Sequence, residues 1–541
     1  MTHDATPAPA APPPATAAAA AGLTHRQTMA IFGALLLGLF LAAVDGTIVS
    51  TALPTIVGEL GGVEQLAWVV TAYLLTSTAA TPLFGKLSDL YGRRLLFQVA
   101  IVVFVVGSML CGLAQTMWQL IVFRGVQGIG GGGLMALGFT ILGDILSPRE
   151  RGRYMGYFSA VFAAAGVAGP LLGGFFVDNL SWPWIFYVNV PLGIIAFAVV
   201  TAVLRLPATD RTPSIDWLGA ALMVLGVSTL LLVSVLGGET YPWLSAPIIG
   251  LAGVTVVAAV GFVVVERRVA EPIVPTHLFA IPLFRLNTVI SFCSGAAMIA
   301  AIVFLPLFLQ GVVGVSATDS GLLLAPMMLG VTASSMVTGR LITRTGRYKP
   351  QMLVGATLSL LAGLPLIGID VDTTGLTVAL VMVVLGLGLG TVMPVLNLSS
   401  QNAVPFADLG AATSTVTFTR GLGSAIGVAV LGAVLTARLR TGLEAIEAGG
   451  GVPDGVDVSG LADSPQIIQA LDEPLRTEVG AALADAIGTV YLVSVPLLVI
   501  VVVLALRVPE LPLRTHAHVA RVAPPPDPAT AARPGTAVAG E

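Results

Sequence analysis

Charge is scarce in this chain. Only 10% of its 541 residues are Asp, Glu, Lys or Arg, against about 25% in an ordinary soluble domain. A soluble globule of this length needs a charged shell, and too few charges exist to make one. Cysteine is almost missing. Cys111 and Cys293 are the whole supply, and both lie inside apolar runs, which speaks against a structural disulfide or a zinc site. The five histidines, His3, His25, His277, His516 and His518, form no metal-spaced cluster. A net charge of −4 with no basic tract argues against nucleic-acid partners. No nucleophile–base pair or metal constellation stands out, so an enzyme is not expected, nor is a cofactor.

What the chain has is apolar length. Hydrophobic residues make up 56% of it, and its mean hydropathy is +0.94. Runs of about 20 apolar residues recur, the length that crosses a hydrocarbon core of about 30 Å. Fourteen such spans can be marked, near 29–53, 66–85, 95–114, 118–141, 154–177, 184–204, 215–236, 246–266, 284–310, 319–340, 351–369, 376–399, 410–437 and 486–508. The first run, Met29–Leu53, is too long for a signal-peptide core. The expectation is an all-α polytopic membrane protein of fourteen transmembrane helices. Its Ala/Pro-rich ends, 1–28 and 509–541, should be disordered tails.

The basic residues test that count. Of 25 Lys and Arg, 20 fall in the tails and in alternate loops, while the short loops on the other side hold none. Excess basic charge marks the cytoplasmic face, so both termini are expected in the cytoplasm of a cell membrane. The loop 400–409 lacks Lys and Arg although it belongs to that side. The segment 438–485 holds nine acidic residues and three arginines. It reads as a solvated external loop with a short amphipathic helix near 465–485, or as an antechamber for a cation or substrate.

A repeat divides the spans. Gly85-Lys-Leu-Ser-Asp-Leu-Tyr-Gly-Arg-Arg94 follows the second, and Gly339-Arg-Leu-Ile-Thr-Arg-Thr-Gly-Arg-Tyr348 follows the tenth. An offset of eight spans fits two six-helix bundles, 29–204 and 284–508, with two linker helices in 205–283. Parallel repeats of this kind mark transporters built from two rocking halves. The second copy has Thr343 where the first has Asp89, so an acidic switch belongs to the first half alone.

Three ionisable residues lie inside spans: Asp45, Arg124 and Arg420. Each costs at least about 2.5–3.5 kcal/mol at the bilayer centre. At 1.5 Å per residue, Asp45 lies about 12 Å and Arg124 about 9 Å from the outer ends of their spans, so the two can meet. They form either a static pair or a carboxylate that gains and loses a proton as access alternates. Arg420 either contacts substrate and coupling groups or is a structural cation bonded to neighbours such as Thr417 or Asn397. The glycines after Arg124 and those around Pro170 permit close helix approach, and Pro170 should kink its helix.

With these residues in place, the chain resembles the major facilitator superfamily, and within it the fourteen-helix drug:proton antiporters. Leu41–Pro54 is similar to the family's first-helix signature, although Ser50 stands where an Asn is common. Gly85–Arg94 matches the cytoplasmic loop motif. Arg124, Gln127 and Gly128 match the fourth-helix motif. Gly166, Gly169, Pro170, Gly173 and Gly174 match the fifth-helix motif of exporters. Trp182–Pro191 resembles the stretch that follows, with Pro183 in place of a frequent Arg.

The resemblance implies proton coupling at Asp45 and Arg124, and a conformational latch of Gly85, Asp89, Gly92 and Arg93. It implies export direction from the fifth-helix motif. Gln127, Arg420 and Asn397 are the further substrate or coupling candidates. The expected partners are an amphipathic small molecule, H⁺ and the lipid bilayer, with the protein acting as a monomer. The expected activity is proton-driven export of drugs or antibiotics. Export of one endogenous metabolite, lipid or self-made antibiotic is the alternative within transport, and a receptor or scaffold on a transporter fold is the alternative outside it.

Overall fold

The computed structural model describes residues 25–60, 66–146, 148–204, 216–237, 241–269, 272–315, 317–405, 408–448 and 475–513. In lipid every backbone N–H and C=O must be satisfied within the chain, which leaves helices as the solution for long apolar runs. The helices are α1 (His25–Leu60), α2 (Leu66–Tyr91), α3 (Arg93–Gly112), α4 (Met117–Ile145) and α5 (Pro148–Asn179). Next come α6 (Trp184–Val203), α7 (Trp217–Leu236), α8 (Ala246–Glu266), α9 (Pro282–Gly311) and α10 (Ala317–Thr345). The last are α11 (Lys349–Gly363), α12 (Gly375–Ala403), α13 (Leu409–Ala448) and α14 (Leu475–Arg507). Twelve are long and apolar enough to cross a membrane. The other two, α2 and α10, have 26 and 29 residues.

Buried side chains form separate cores in the two halves. Leu35, Phe97, Phe104 and Leu137 belong to one core of α1–α6, and Ile48, Val69 and Ile185 to a second. Phe304, Leu389 and Ile487 belong to one core of α9–α14, and Phe284, Val395 and Ala412 to another. The halves meet along a seam in which α2 and α4 pack on α13, and α5 packs on α10 and α12. The linker helices form a hairpin. α7 lies against both α2 and α13, with Met223, Val227 and Leu231 buried beside Ala79. α8 packs chiefly on α7, with the Thr255 hydroxyl donating to Thr229 Oγ1 at 2.7 Å.

Two turns of the repeat share a backbone feature. Gly92 and Gly346 have φ of +91° and +71°, a conformation that a side chain disfavours. Each lets the chain reverse between two helices at the end that carries the basic loops.

Some boundaries differ from the hydropathy reading. α1 begins at His25 and runs to Leu60, past the apolar limits at both ends. The segment 438–485 is not all loop, because α13 continues to Ala448 and α14 starts at Leu475. Arg438 donates to Asp485 at 2.9 Å and so joins these two extensions. Residues 449–474 lie outside the described residues, as do 1–24 and 514–541. Residues 509–513, expected in the tail, form a strap instead. Glu510 Oε1 accepts from the backbone N–H of Tyr348 and Lys349 at 2.9 and 3.4 Å. The Tyr348 hydroxyl donates to Pro509 O at 2.8 Å, and Asn402 Nδ2 donates to Pro512 O at 3.2 Å. The strap thus caps the start of α11 and reaches the end of α12.

Candidate functional site

The two charges predicted to meet do meet. Asp45 lies near the midpoint of α1 and Arg124 in the second turn of α4, and they are 0% and 1% exposed. Arg124 Nη1 donates to Asp45 Oδ2 and to Gln127 Oε1 at 3.0 Å. Gln127 Nε2 donates to Asp45 Oδ1 at 2.7 Å, so this amide bridges both ions from one turn further along α4. Asn189 of α6 donates to Asp45 Oδ1 at 3.2 Å and to Ser108 Oγ of α3 at 3.0 Å. Ser108 passes the chain on to Phe186 O at 2.8 Å. The guanidinium rests over the Tyr73 ring, 4.3 Å from its centroid. Five helices of the first half therefore converge on one carboxylate.

Asn189, Ser108 and Tyr73 were not singled out from sequence. Their only signal was polarity within apolar spans, and Asn189 lies in the stretch Trp182–Pro191. Burying an ion pair costs several kcal/mol per ion before attraction and hydrogen bonds offset it. The three hydrogen bonds that Asp45 accepts offset part of that cost.

Glycine makes the convergence possible. A Cβ on Gly130 would lie 2.6 Å from Phe104 Cα and 2.7 Å from Ala100 O, both backbone atoms of α3. One on Gly132 would lie 2.9 Å from the Ser77 carbonyl carbon of α2. The glycine run after Arg124 thus seats α4 directly against two neighbours. Gly128 packs on Tyr73 in the same way. The fifth-helix glycines divide in role. Gly169 is buried against α1, where a Cβ would lie 2.7 Å from Thr47 Cβ. Thr47 also donates to Ala165 O at 3.1 Å, so α5 is fixed to α1 two residues beyond Asp45. Gly173 is buried, while Gly166 and Gly174 have nothing within 4 Å of an added Cβ. The helix runs unbroken through position 170, and the Pro170 side chain lies outside the described residues.

A second charge cluster sits at the basic end of the seam. Arg93 pairs with Asp89, donates from Nε to Asp144 Oδ2 at 2.7 Å and donates to Ser88 Oγ. Asp89 Oδ2 accepts from the backbone N–H of Ala411 at 3.1 Å, across the seam in the first turn of α13. A carboxylate is favourable at a helix N-terminus, where backbone N–H groups lack partners. Gly85 allows this approach, since a Cβ there would lie 3.0 Å from Gly410 O. Gln401 of α12 adds a bond to Phe139 O of α4 at 3.4 Å. The seam is therefore closed at its basic end. Asp144, which joins this cluster through Arg93, was also not singled out from sequence, since it lies outside the loop motif that carries Asp89 and Arg93.

Arg420 stands apart from both clusters. Its Nη1 contacts Met393 Sδ of α12 at 3.1 Å, and not Thr417 or Asn397 as proposed from sequence. Thr417 donates to Thr413 O at 3.0 Å. Asn397 is buried one turn along from Met393, donates weakly to its carbonyl at 3.5 Å, and leaves Oδ1 without a partner.

Two helical halves with separate cores, meeting along a seam and enclosing a buried acid, have the architecture of a multi-pass membrane transporter. Residues 35–428 match the family model described as Major Facilitator Superfamily, and the chain belongs to that family. It is 41% identical over 417 residues to the multidrug transporter protein MdtP of Bacillus subtilis (strain 168), covering 77% of each chain. It is 36% identical over 496 residues to multidrug resistance protein 3 of the same organism, covering 90% of this chain and 96% of the relative. In fold it is similar to the proton:xylose symporter XylE, with a TM-score of 0.57 at 14% identity, covering 90% of this chain and 96% of that one. The relatives place it among the drug-efflux members of the superfamily, which move small molecules across a membrane.

Proposed function

We propose that this protein is a proton-driven antiporter that exports amphipathic small molecules across the cytoplasmic membrane, with both termini in the cytoplasm. The observation that carries the reading is the enclosed carboxylate of Asp45. Ionised, it holds Arg124, Gln127 and Asn189 on its two oxygens. A proton on Oδ2 removes the charge that holds Arg124. The guanidinium then keeps Gln127 Oε1 and the face of Tyr73, while Gln127 Nε2 stays on Oδ1, so the tie between α4 and α1 is weakened. Binding or losing one proton thereby biases how two helices of the first half pack.

In the cycle, substrate enters between the halves while the basic end is open. The latch of Asp89 on Ala411 closes that end, substrate leaves outward, and Asp45 takes up a proton. The return stroke delivers the proton to the cytoplasm. Each unit charge moved through 100 mV supplies about 2.3 kcal/mol, enough to drive uphill export. The fifth helix, seated on α1 at Gly169, ties the stroke to the acid.

Everted membrane vesicles carrying the protein test this. Acid-interior vesicles should accumulate a fluorescent amphipathic dye, and an uncoupler should abolish the uptake. Asp45→Asn should be present in the membrane at the parental level and show no uptake. Undiminished uptake in that variant would remove Asp45 from the mechanism, and uptake insensitive to the uncoupler would remove the proton.

A further inference from the structure

The charge that the coupling site and the latch leave unused is Arg420. It lies nine residues beyond Ala411 on α13, so about 13 Å above the closed end of the seam at 1.5 Å per residue. Met393 lies eight residues from Gln401 on α12, about 12 Å above the same level. Both helices border the first half: α12 through Gln401 and Phe139, α13 through Ala411 and Asp89. One residue on, an added Cβ at Gly421 would lie 3.8 Å from Thr78 Cγ2 of α2. Arg420 itself packs within the second half, its Cγ 3.1 Å from where a Cβ on Gly295 of α9 would lie, one residue from the surface that meets α2.

Its partners do not match its chemistry. A guanidinium offers five N–H donors in a flat fork. Here its one hydrogen bond among the described residues goes to a thioether sulfur, a weak acceptor. No carboxylate pairs with it among the described residues, whereas Arg93 and Arg124 both have one. One turn along α12 from Met393, Asn397 is 3% exposed and has a buried carbonyl oxygen with no donor. A cation without an ion partner among the described residues, touching the stretch of α12 that carries an unsatisfied acceptor, has the chemistry to take a group that supplies both an anion and an N–H or O–H.

We propose that Arg420, with Met393 and Asn397, is the polar subsite of the substrate cavity, and that the exported molecules are amphipaths bearing a carboxylate or similarly acidic oxygen. The fork of Arg420 takes the two oxygens side by side, as guanidinium groups take carboxylates. Asn397 Oδ1 accepts from a neighbouring hydroxyl or amide, and the Met393 thioether packs on the apolar body. This rests on the export reading above and adds a substrate class to it. The buried acid Asp45 is engaged with Arg124, so the carboxylate of a substrate meets an unopposed cation at Arg420.

The test uses the full chain in lipid nanodiscs and in everted vesicles, with three probes: 11-(dansylamino)undecanoic acid, its uncharged amide, and a tetraphenylphosphonium cation. The parent should bind the acid about tenfold or more tightly than the amide, the factor expected of a charge-assisted pair. Arg420→Gln should bring that ratio to about one, and Arg420→Lys should restore part of it. Equal binding of acid and amide by the parent overturns the proposal, as does a loss in Arg420→Gln that is equal for both probes. If Arg420→Gln does not fold, the acid-to-amide ratio of the parent decides alone. Uncoupler-sensitive transport of the phosphonium with no preference for the acid would sink this inference and leave the export reading standing. Transport of no probe at all would sink the export reading itself, whatever the binding ratio.

Discussion

Removing the Asp89 carboxylate should open the basic end of the seam by an amount the structure sets. The side chain is 7% exposed, so solvent screens it little. Its bond to Ala411 N–H spans the two halves and exists only while they are closed. Its pairing with Arg93 lies within the first half and survives opening, so that term cancels between states. A hydrogen bond to a charged group is worth about 1.5–3 kcal/mol, and a carboxylate at a helix N-terminus adds about 0.3–1 kcal/mol. Asp89→Ala should therefore shift the closed-to-open ratio by about 2–4 kcal/mol, roughly 30-fold to 1000-fold at 1.4 kcal/mol per decade. Asp89→Asn keeps an acceptor without the charge and should shift it by about 1–1.5 kcal/mol, near tenfold.

The assay is a distance distribution between spin labels at Tyr91→Cys and Arg347→Cys, one in each half and both exposed. Cys111 and Cys293 are buried and add little background label. Conditions should leave both distances populated in the parent. The order parent, Asn, Ala should then appear as a rising fraction of the longer distance. An unchanged distribution in Asp89→Ala would refute the reasoning, because the bond to Ala411 across the seam would then carry no weight.

Three further outcomes follow from packing and caps. Gly130→Ala pushes a methyl into the backbone of α3 and should cost about 1–3 kcal/mol, seen as a lower melting temperature in detergent. Gly125→Ala meets only Thr76 Cγ2 at 3.7 Å and should melt with the parent. Gly169→Ala should separate α5 from α1 and reduce efflux, whereas Gly166→Ala, with open space around it, should fold and express as the parent does. Glu510→Ala removes the acceptor for two N–H groups at the start of α11 and should destabilise the second half by about 1–2 kcal/mol, measurable by hydrogen exchange over 349–356.

Most of the helical framework was legible because lipid leaves apolar runs one option. The limits of that signal are visible at α13. Apolarity stops at Ala437, but the helix continues through Arg438–Ala448, since these residues are good helix formers in water as well. The i,i+4 pair Arg440–Glu444 supports the extension. The contact of Asp45 with Arg124 was legible because both are costly in a membrane and share a depth. Gln127 was visible through its motif, but its bridging role was not. Asn189 and Ser108 carry no charge, so nothing in the spacing distinguishes them from other polar residues that face a neighbouring helix. The bond from Asp89 to Ala411 joins residues 322 positions apart through a backbone N–H, and a backbone donor leaves no mark on side-chain identity. Arg420 was found by the same cost argument as Asp45, and its thioether neighbour was not, because methionine in an apolar span is unremarked.

The linker hairpin has a practical side. α8 presents Ile249, Val256, Val257 and Val260 outward, each more than half exposed, and leans on the rest of the protein chiefly through α7. Its other wall is the bilayer itself. A detergent that solvates those valines less well than acyl chains do would strip α8 first. It would then loosen α7 from the α2 and α13 surfaces that flank the latch. Choice of detergent would thus alter the gate before it altered the overall melting curve, and a preparation judged intact by its elution profile could already have lost its resting conformation.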